Sequence, residues 1–521
     1  MLIPTLLAGA LLLAAGFWPN SVGWTCWFSL APLYWAGDDR PPREAFALGW
    51  LFGAVGWAAG MYWLAPTVGK FLSVPPLVGF ALFAGICAWH GLMTGAITAA
   101  VSALTPPLAR RSGRPALALA LVAVSATVAA DGWFPAIFPI RFTNTQYFHL
   151  PMVQSIDLLG TGLTACLLAS FNVALYLALR RRGWRFLAVM VALVGLNEAY
   201  GLLRMRAVDA EVRRLLAEGR GLRVAVIQSA IPIWRKSDPG SLAENLGTQA
   251  GLTARALESG PADLVIWPET TYGRHLAYRR EAGRAVDATL DKEPFAARIS
   301  KDIPGGAQVL LGALGGPEDE TGDGWRYNTA FLKAPGGELL GVVEKRVRMP
   351  FGEYFPLGRW LPSFYRWSPR TRKILAGREQ RLLTARDGMR LGVLVCYEDL
   401  HPDYARAYAA LGADLLVNMT NDAWFGKGAA PEQHLRMAAL RAIESRRFLL
   451  RAVNTGISAV VDPAGRILAR IPGERRDVLT ETVVPMQLKT LHTSAGRGLY
   501  LLSAALLVLF LGLRLREARS S

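Results

Sequence analysis

Long apolar runs fill the chain up to about Leu203, and one more lies close to its end. A transmembrane helix needs about 20 mostly apolar residues. The first run has no charged residues before it and is followed at once by further runs, so we interpret it as a retained helix rather than a signal peptide. The pattern predicts eight spans: Leu2–Trp18, Ser21–Ala36, Ala45–Leu64, Val74–Ala99, Pro115–Phe134, Gly160–Leu179, Phe186–Leu203 and Gly498–Leu513.

A different pattern begins near Gly221 and continues to about Leu488. Short apolar runs alternate here with helical stretches such as Gly240–Glu258. Strands that alternate with helices predict an α/β sheet with covered faces, and ligands of such sheets usually bind beyond the carboxyl ends of the strands. The predicted strands are Arg223–Gln228, Asp263–Trp267, Gln308–Gly312, Tyr327–Lys333, Glu338–Glu344, Leu391–Val395 and Ala413–Asn418.

The two patterns predict three domains. Residues 1–206 form a helical membrane domain of seven spans, residues 220–488 a soluble α/β domain, and residues 496–514 a C-terminal membrane helix. Composition agrees, because 52% of the residues are hydrophobic, only 19% are charged and the mean hydropathy is +0.26. An average globular chain carries about 25% charged residues. These values exclude a disordered chain, a coiled coil and a disulfide-stapled miniprotein.

The chain carries 57 basic and 40 acidic residues, a net charge of +17. A basic chain can bind nucleic acid, but no helix–turn–helix, zinc-finger or RNA-binding pattern is present, so we expect no nucleic-acid partner. In a membrane protein, basic residues concentrate in cytoplasmic loops. The predicted even-numbered loops carry nine basic residues and the odd-numbered loops two. We therefore predict cytoplasmic termini and an α/β domain on the outer side. Four arginines, Arg204, Arg206, Arg213 and Arg214, would lie on the outer side and depart from this distribution of basic residues. Large translocated domains tolerate such a departure.

Three reactive side chains lie at the ends of predicted strands: Glu269, Lys345 and Cys396. A thiol nucleophile needs a base to ionise it, and a carboxylate in a partly apolar site can do so. An ammonium group can stabilise the thiolate and the oxyanion of a tetrahedral intermediate. The backbone N–H of Tyr397, directly after the thiol, is a second oxyanion donor. The set suffices for acyl transfer through a thioester.

Each of these residues also has a purely structural interpretation. A cysteine at the end of an apolar strand is often a small buried residue, a glutamate after Trp-Pro is often a turn residue, and a lysine among charges is often solvated. The other cysteines, Cys26, Cys87 and Cys166, lie in apolar runs, and four are too few for a disulfide framework. We expect no metal and no cofactor, because the six histidines lack ligand spacing.

The residues around the three reactive side chains resemble the signatures of the nitrilase superfamily. These are Trp267-Pro-Glu-Thr270, Lys345 with Pro350-Phe-Gly-Glu353, and Cys396-Tyr-Glu-Asp399. Flanking residues, together with the predicted seven-plus-one spans, are similar to the apolipoprotein N-acyltransferase family of the bacterial inner membrane. The flanking segments are Asn418-Met-Thr-Asn-Asp-Ala-Trp-Phe-Gly426, Gln433-His434 and Arg451-Ala-Val-Asn-Thr-Gly456. The resemblance covers nearly the whole chain.

The resemblance implies an αββα sandwich carried on a helical membrane bundle, with the catalytic domain in the periplasm. It implies transfer of a fatty acyl chain from a phospholipid, typically phosphatidylethanolamine, to the α-amine of the S-diacylglyceryl cysteine of an apolipoprotein. This is the final step of lipoprotein maturation. Glu269 is then the general base, Lys345 the electrostatic stabiliser and Cys396 the acylated nucleophile. Supporting roles follow for Glu353, which orients Lys345 or the base, and for Tyr397 and Glu398.

Three tryptophans are candidates for contact with substrate or membrane. The family carries a tryptophan several residues beyond the Ile-Pro after the first strand, and Trp234 follows Ile231-Pro232 at a shorter spacing. Trp360 lies in the segment Glu353–Leu375, where aromatic residues alternate with basic ones such as Arg359 and Arg370. That composition suits the headgroup region of a membrane, although a partly buried loop is an alternative. Trp424 belongs to one of the flanking family segments.

Three other functions remain open at this point. A membrane-tethered amidase or nitrilase would use the same Glu269, Lys345 and Cys396 with water as acceptor. A thioester on Cys396 that carries a lipid-derived acyl chain distinguishes the acyltransferase from this alternative. A lipid-binding or scaffold protein would need a decayed site, whereas these three residues are intact. A transporter is disfavoured by the large outer domain.

Overall fold

The computed structural model describes residues 1–19, 22–72, 74–236, 238–281, 284–287, 302–317, 320, 325–358, 360–367, 371–426 and 428–520. The chain forms two compact units. The first, which we call the helical unit, comprises Met1–Lys70, Val74–Arg206 and Ser494–Ser521. The second, the α/β unit, comprises Phe71–Ser73 and Ala207–Thr493.

Apolar helices make up the first part of the chain and its end. Within the described residues, five are long and apolar enough to cross a membrane: Pro76–Ser112, Pro115–Trp133, Thr161–Arg181, Trp184–Ala217 and Gly498–Arg519. A sixth is obtained if the bent pair Pro42–Gly60 and Leu64–Lys70 is one span. The predicted count of seven plus one is therefore not confirmed. The remaining helices in this part are Leu2–Phe17, Cys26–Ser29, Ala31–Gly37, Leu150–Val153 and Ile156–Leu159.

The prediction of one continuous helix over Ser21–Ala36 is wrong. Ser21 lies outside the described residues, and from Gly23 the segment is a 3₁₀ turn followed by the helices Cys26–Ser29 and Ala31–Gly37. Pro32 lies in the first turn of the latter, where its missing N–H is tolerated. The side-chain oxygen of Asn172 accepts hydrogen bonds from the backbone N–H groups of Leu30 and Ala31, at 2.9 and 3.0 Å. The backbone donors at the break between the two helices therefore have a partner inside the apolar bundle.

The α/β unit contains two sheets. Their strands are β1 Leu222–Gln228, β2 Leu264–Ile266, β3 Tyr272–Glu281, β4 Arg284–Asp287, β5 Gln308–Pro317, β6 Tyr327–Lys333, β7 Leu339–Glu344, β8 Leu383–Thr384, β9 Arg390–Val395, β10 Leu415–Thr420, β11 Leu449–Val453, β12 Ser458–Val461, β13 Ile467–Ile471 and β14 Asp477–Val483. The seven predicted strands correspond to β1, β2, β5, β6, β7, β9 and β10, with ends shifted by at most two residues except in β5, which continues five residues beyond the predicted end at Gly312. The other described strands are not among the predicted ones. The first sheet has the order β14-β1-β2-β5-β3-β4, with β6 paired to β5 and β7 to β6. The second has the order β13-β12-β11-β10-β9-β8.

The two sheets pack face to face, as the predicted αββα sandwich requires. Alternate residues of β1 point to opposite faces: Val224 and Val226 belong to the core between the sheets, whereas Ala225 and Ile227 belong to a core on the outer face. The helix Leu242–Glu258 packs on that outer face. The helices Pro402–Ala410 and Ala429–Ser445 pack on the second sheet, which completes four layers. Shorter helices are Ile233–Lys236, Phe364–Trp367 and Leu491–Ala495.

Strand direction brings the ends of several strands to one region. In the first sheet β2 runs parallel to β1 and β5, and β7 has the same direction because two antiparallel pairings separate it from β5. In the second sheet β9, β10 and β11 are parallel. Glu269 follows β2, Lys345 follows β7, and Cys396 follows β9. The fold thus places each of the three at a carboxyl strand end.

Candidate active site

Glu269, Lys345 and Cys396 line one small cavity of about 50 Å³ in the α/β unit. The same cavity is lined by Lys236, Thr270, Asn328, Met349, Gly352, Glu353, Arg372, Ile374, Asn421, Trp424 and Phe425. Three segments distant in sequence therefore meet at one point. The structure brings the three predicted reactive residues together, and it adds a second lysine and an asparagine that the sequence analysis does not single out.

Local backbone geometry presents the nucleophile and the base. Cys396 has φ +53°, in the left-handed region that non-glycine residues rarely adopt, and it begins a 3₁₀ turn directly after β9. The turn that carries Glu269 packs against Gly312 of β5. A Cβ atom at Gly312 would lie 2.6 Å from the carbonyl oxygen of Pro268 and 2.9 Å from the Cα of Glu269. Only glycine leaves room for this turn.

Lys345 is the buried cation of the site, with 1% of its side chain exposed. Its Nζ lies 2.8 Å from the carboxylate of Glu353 and 3.8 Å from Oε1 of Glu269. Burial by itself would lower the pKa of Lys345, but the carboxylates of Glu353 and Glu269 outweigh it and raise the pKa well above its ordinary value. The ammonium group therefore stays charged at neutral pH.

The thiol of Cys396 is held in its neutral form. Burial is the main cause that raises its pKa above the ordinary value of a cysteine, and the negative charge of Glu269 adds to it, whereas Lys345 opposes both. A thiol in this state is a poor nucleophile until a base removes its proton. The pairing of a protonated thiol with a nearby carboxylate is what base-assisted attack requires.

Asn328, near the start of β6, holds the two carboxylates in place. Its Nδ2 donates to Oε1 of Glu269 at 2.6 Å and lies 3.2 Å from Oε1 of Glu353. Its carbonyl oxygen accepts a hydrogen bond from the backbone N–H of Lys345 at 2.8 Å. One residue thus contacts both carboxylates through its side chain and the backbone of Lys345 through its own backbone. In the sequence, Asn328 lies at the start of a predicted strand and belongs to no recognised motif, so only the structure identifies it as a residue of the site.

The predicted supporting glutamates occupy different positions. Glu353 lies in the cavity, where it also accepts from the backbone N–H of Met349 at 2.8 Å, a geometry that suits the predicted orientation of Lys345. Glu398 is fully buried, and its carboxylate accepts from the backbone N–H groups of Arg346, Val347 and Val395 at 2.7, 3.0 and 2.8 Å. It therefore ties the chain after Lys345 to the strand before Cys396.

Burial raises the pKa of Glu398 to about 7, against three backbone hydrogen bonds that lower it. Tyr397 is also buried, which raises its pKa, and its ring stands edge-on to His401 with 5.0 Å between the ring centroids. Neither side chain is among the described residues that line the cavity. Their positions beside the thiol suit support of the turn at Cys396.

A second charged cluster, which we call the buried network, lies behind the nucleophile turn. Arg451 donates to Asp399 at 2.7 Å and to Asp422 at 3.1 Å. The ring of His434 bridges the same two aspartates at 2.9 and 2.8 Å. Asn418 accepts from Arg451, and its Nδ2 lies 3.2 Å from the carbonyl oxygen of Leu394 and 3.5 Å from that of Cys396. The network thus reaches the backbone of the nucleophile.

Lys236 is a second amine at the cavity. Its Nζ donates to the carbonyl oxygen of Glu269 at 2.7 Å. Its pKa is lowered to about 7, mainly by burial and further by the positive charge of Arg372, while the carboxylate of Glu269 opposes the shift. In the sequence it is one of several basic residues after the first strand, which gives no sign of this position.

The three tryptophans differ in position. Trp424 lines the cavity, next to Phe425. The side chains of Trp234 and Trp360 are 71% and 76% exposed, and neither is among the cavity-lining residues that the structure describes. Arg359 and Arg370, predicted to alternate with the aromatic residues around Trp360, lie outside the described residues. Contact of these tryptophans with a membrane stays a prediction.

Comparison with known proteins gives matches over both parts of the chain. A family model described as carbon-nitrogen hydrolase matches residues 223–492, and one described as apolipoprotein N-acyltransferase N-terminal domain matches residues 9–174. The chain is 30% identical over 488 residues to the apolipoprotein N-acyltransferase of Geobacter metallireducens, covering 91% of this chain and 87% of the relative. It is 33% identical over 505 residues to that of Azotobacter vinelandii, covering 92% and 89%.

A solved structure, Saccharomyces cerevisiae Nit3, described as a member of branch 10 of the nitrilase superfamily, is similar to part of the chain. It is 17% identical, with a TM-score of 0.39, and covers 53% of this chain and 93% of its own. The carbon-nitrogen hydrolase match and the two packed sheets agree on a nitrilase-like α/β fold for this part.

Proposed function

This chain belongs to the apolipoprotein N-acyltransferase family, and from that premise we propose how it works. It moves a fatty acyl chain from a phospholipid to the N-terminal amine of the S-diacylglyceryl cysteine of an apolipoprotein, by a ping-pong mechanism. The observation that carries the proposal is the meeting of Glu269, Lys345 and Cys396 on one cavity. These three residues supply base, charge stabiliser and nucleophile.

In the first half-reaction, Glu269 removes the proton of the Cys396 thiol, and the thiolate attacks the ester carbonyl of the phospholipid. Negative charge develops on the carbonyl oxygen, where the ammonium group of Lys345 and the backbone N–H of Tyr397 oppose it. When the intermediate collapses, the C–O bond to the lipid glycerol breaks and Glu269 returns its proton to the leaving alkoxide. The products are a lysophospholipid and a thioester on Cys396.

In the second half-reaction, the amine of the lipidated cysteine attacks the thioester carbonyl. Glu269 accepts a proton from the nitrogen, the C–S bond breaks, and an amide forms. Lys345 again opposes the charge on the carbonyl oxygen. The proton then returns from Glu269 to the thiolate of Cys396, which restores the neutral thiol favoured by its buried position.

Intact mass spectrometry of the full chain with phosphatidylethanolamine tests the proposal. We expect one added fatty acyl group, removed by neutral hydroxylamine and absent in Cys396→Ala. Addition of a diacylglyceryl cysteine peptide should discharge the thioester into an amide. Acylation that persists in Cys396→Ala would contradict the assignment of the nucleophile. Release of free fatty acid without amide formation would favour the amidase-like alternative with water as acceptor.

We also propose that the protein resides in the bacterial inner membrane, with residues 220–488 in the periplasm and both termini in the cytoplasm. The excess of basic residues in the even-numbered predicted loops supports this orientation. An impermeant thiol reagent should label Gly240→Cys from the periplasmic side, and a reporter fused after Ser521 should be active in the cytoplasm. Labelling of Gly240→Cys only from the cytoplasm would reverse the topology and remove the access to lipoproteins.

A further inference from the structure

An open cleft of about 490 Å³ lies beside the reaction cavity in the α/β unit. This volume is in the range of small-molecule sites, about 300–1,000 Å³. The cleft shares four lining residues with the cavity: Lys236, Thr270, Arg372 and Ile374. The cleft and the cavity that Cys396 lines are therefore directly adjacent. The other lining residues are Tyr272, Gly273, Arg274, His275, Leu314, Arg326 and Lys373.

The lining of this cleft is strongly cationic. Five of its described side chains are lysines or arginines, and none is a carboxylate. Arg274 is paired, since its Nε lies 2.9 Å from Asp302. Within the described part of the chain, Arg326 and Arg372 have no ion pair with a carboxylate. Like charges held close together repel each other unless an anion lies between them, so the cleft is suited to a ligand with negative charge.

Backbone contacts fix the main chain around Arg372 and Arg326 at the wall of the cleft. The backbone N–H of Arg372 donates to Gly352 at 2.9 Å, and that of Ile374 donates to Glu353 at 2.8 Å. Arg326 and Ile374 form a parallel bridge. These contacts join the cleft wall to the turn that carries Glu353 of the reaction site. Both arginines are half-buried, and the guanidinium group of Arg326 donates to the backbone carbonyl oxygen of Trp325 at 2.7 Å.

We propose that this cleft binds the phosphodiester group of the acyl donor, with Arg372 and Arg326 as its main contacts and Lys236 at the boundary with the reaction cavity. The assignment rests on the proposed function and deepens it. A guanidinium group donates two parallel hydrogen bonds to phosphate oxygens, which fixes orientation as well as position. A phosphate held here places the rest of the same lipid next to the cavity that Cys396 lines, because the two spaces share four lining residues.

The test compares two acyl donors in the full-length protein. One is phosphatidylethanolamine in mixed micelles, and the other is p-nitrophenyl palmitate, a neutral ester without phosphate. We expect Arg372→Gln to lower the rate of Cys396 acylation by phosphatidylethanolamine roughly ten- to hundredfold more than it lowers the rate with the neutral ester. Arg372→Lys, which keeps the charge but not the paired donors, should recover part of the difference.

The matched control is Arg386→Gln, because the Arg386 side chain is 63% exposed and does not line the cleft. It should not change the ratio of the two rates. Arg326→Gln is the second test variant and should shift the ratio in the same direction as Arg372→Gln. Equal losses with both donors in the arginine variants would overturn the proposal and assign these residues to the stability of the loop.

A binding measurement separates this proposal from the proposed function. Line broadening of sn-glycero-3-phosphoethanolamine in phosphorus NMR reports on the site without any acyl transfer. We expect broadening with the wild type, loss of it in Arg372→Gln, and weaker broadening of inorganic phosphate. Equal broadening of inorganic phosphate would show a free-phosphate site and overturn the phosphodiester assignment. If phosphatidylethanolamine never acylates Cys396 but the headgroup probe still binds through Arg372, the proposed function fails and the anion site stands.

Discussion

The reaction cavity and the buried network are both clusters of acid and base in the α/β unit, but they are built differently. In the buried network, Arg451 and His434 face Asp399 and Asp422, each cation contacts both carboxylates, and all four side chains are almost fully buried. In the cavity, the ammonium group of Lys345 lies 2.8 Å from Glu353 and 3.8 Å from Glu269, Lys236 and Arg372 line the same space, and open volume remains beside these groups. The charged groups of the first cluster are closed off in direct contact, whereas those of the second border an open cavity.

This difference indicates a structural role for the charges of the buried network and a chemical role for those of the reaction cavity. Burial by itself would lower the pKa of His434, but Asp399 and Asp422 raise it to about 9, so the imidazole is a cation at neutral pH. The network then holds two positive and two negative charges in direct contact, which is the condition for keeping ions away from water. In the cavity, the carboxylate of Glu269 lies farther from Lys345 than that of Glu353 does, at 3.8 Å against 2.8 Å, and it borders the space that the thiol also lines, so it is placed to take the proton of the thiol.

The largest effect on rate should follow from Glu269→Gln. The amide keeps an oxygen that can accept from Asn328, so the fold should be retained, but it cannot take the proton of Cys396. Loss of general-base catalysis typically costs about 10²–10⁴-fold, and both half-reactions should slow. Single-turnover mass spectrometry measures each step. The assigned roles are wrong if Glu269→Gln leaves the alkylation of Cys396 unchanged across pH while Lys345→Met abolishes it.

Arg451→Met should instead act on stability. It leaves Asp399 and Asp422 buried with only His434 as a partner, and removing one member of a buried ion pair destabilises a fold by about 3–5 kcal/mol. Denaturant unfolding in detergent measures the loss. The control Arg475→Met removes an exposed arginine whose Nε lies 3.0 Å from Asp477, and such a pair contributes roughly 0.2–1 kcal/mol. Similar losses in the two variants would show that the network is not structural.

Lys345→Met should lower the rate of acyl transfer by about 10²–10³-fold, since one stabiliser of the oxyanion is lost. Glu269 and Glu353 then remain close together without their shared cation, so part of the effect comes from displaced carboxylates. Lys345→Arg keeps the charge but brings a larger planar group into a site with 1% exposure, and it should not restore full activity. Wild-type turnover in Lys345→Arg would mean that charge alone is sufficient.

The smallest effect is a change of stability with pH that depends on His434. Its pKa is raised by folding, to about 9 from 6.5. A group whose pKa is raised by folding stabilises the folded state fully at pH values below its pKa in the unfolded chain. This stabilisation is lost as the pH rises through the pKa of the group in the folded protein. The difference in unfolding free energy between wild type and His434→Gln should therefore shrink by about 1–3 kcal/mol between pH 6.5 and 9. Parallel curves over that range would show that His434 is neutral in the fold.

Much of the α/β unit is predictable from the sequence because each strand is a local apolar run. The predicted strand Tyr327–Lys333 agrees with β6 at both ends, and Leu391–Val395 differs from β9 by one residue. The membrane helices are less predictable. Hydrophobicity gives a run of suitable residues over Ser21–Ala36, but the break before Ala31 depends on Asn172, which is distant in sequence and satisfies the interrupted backbone.

The candidate site likewise contains residues that the sequence predicts and residues that only the structure identifies. The motifs around Glu269, Lys345 and Cys396 indicate acyl-transfer chemistry from residue types alone, and their resemblance to the apolipoprotein N-acyltransferase family is confirmed by the relatives. Asn328 and Lys236 have no such signature. Their importance comes from distances of 2.6–3.2 Å to groups in other segments, which no local pattern contains.

The sequence by itself determined where the chain is apolar, where seven of the strands lie, and which three reactive side chains follow strands, because these are properties of neighbouring residues. Only the tertiary structure decided that β2, β7 and β9 bring those side chains to one cavity. Only the tertiary structure placed Arg326 beside the segment of Arg372. The physical reason is that strand pairing and sheet packing join segments far apart along the chain, so their register depends on the whole fold.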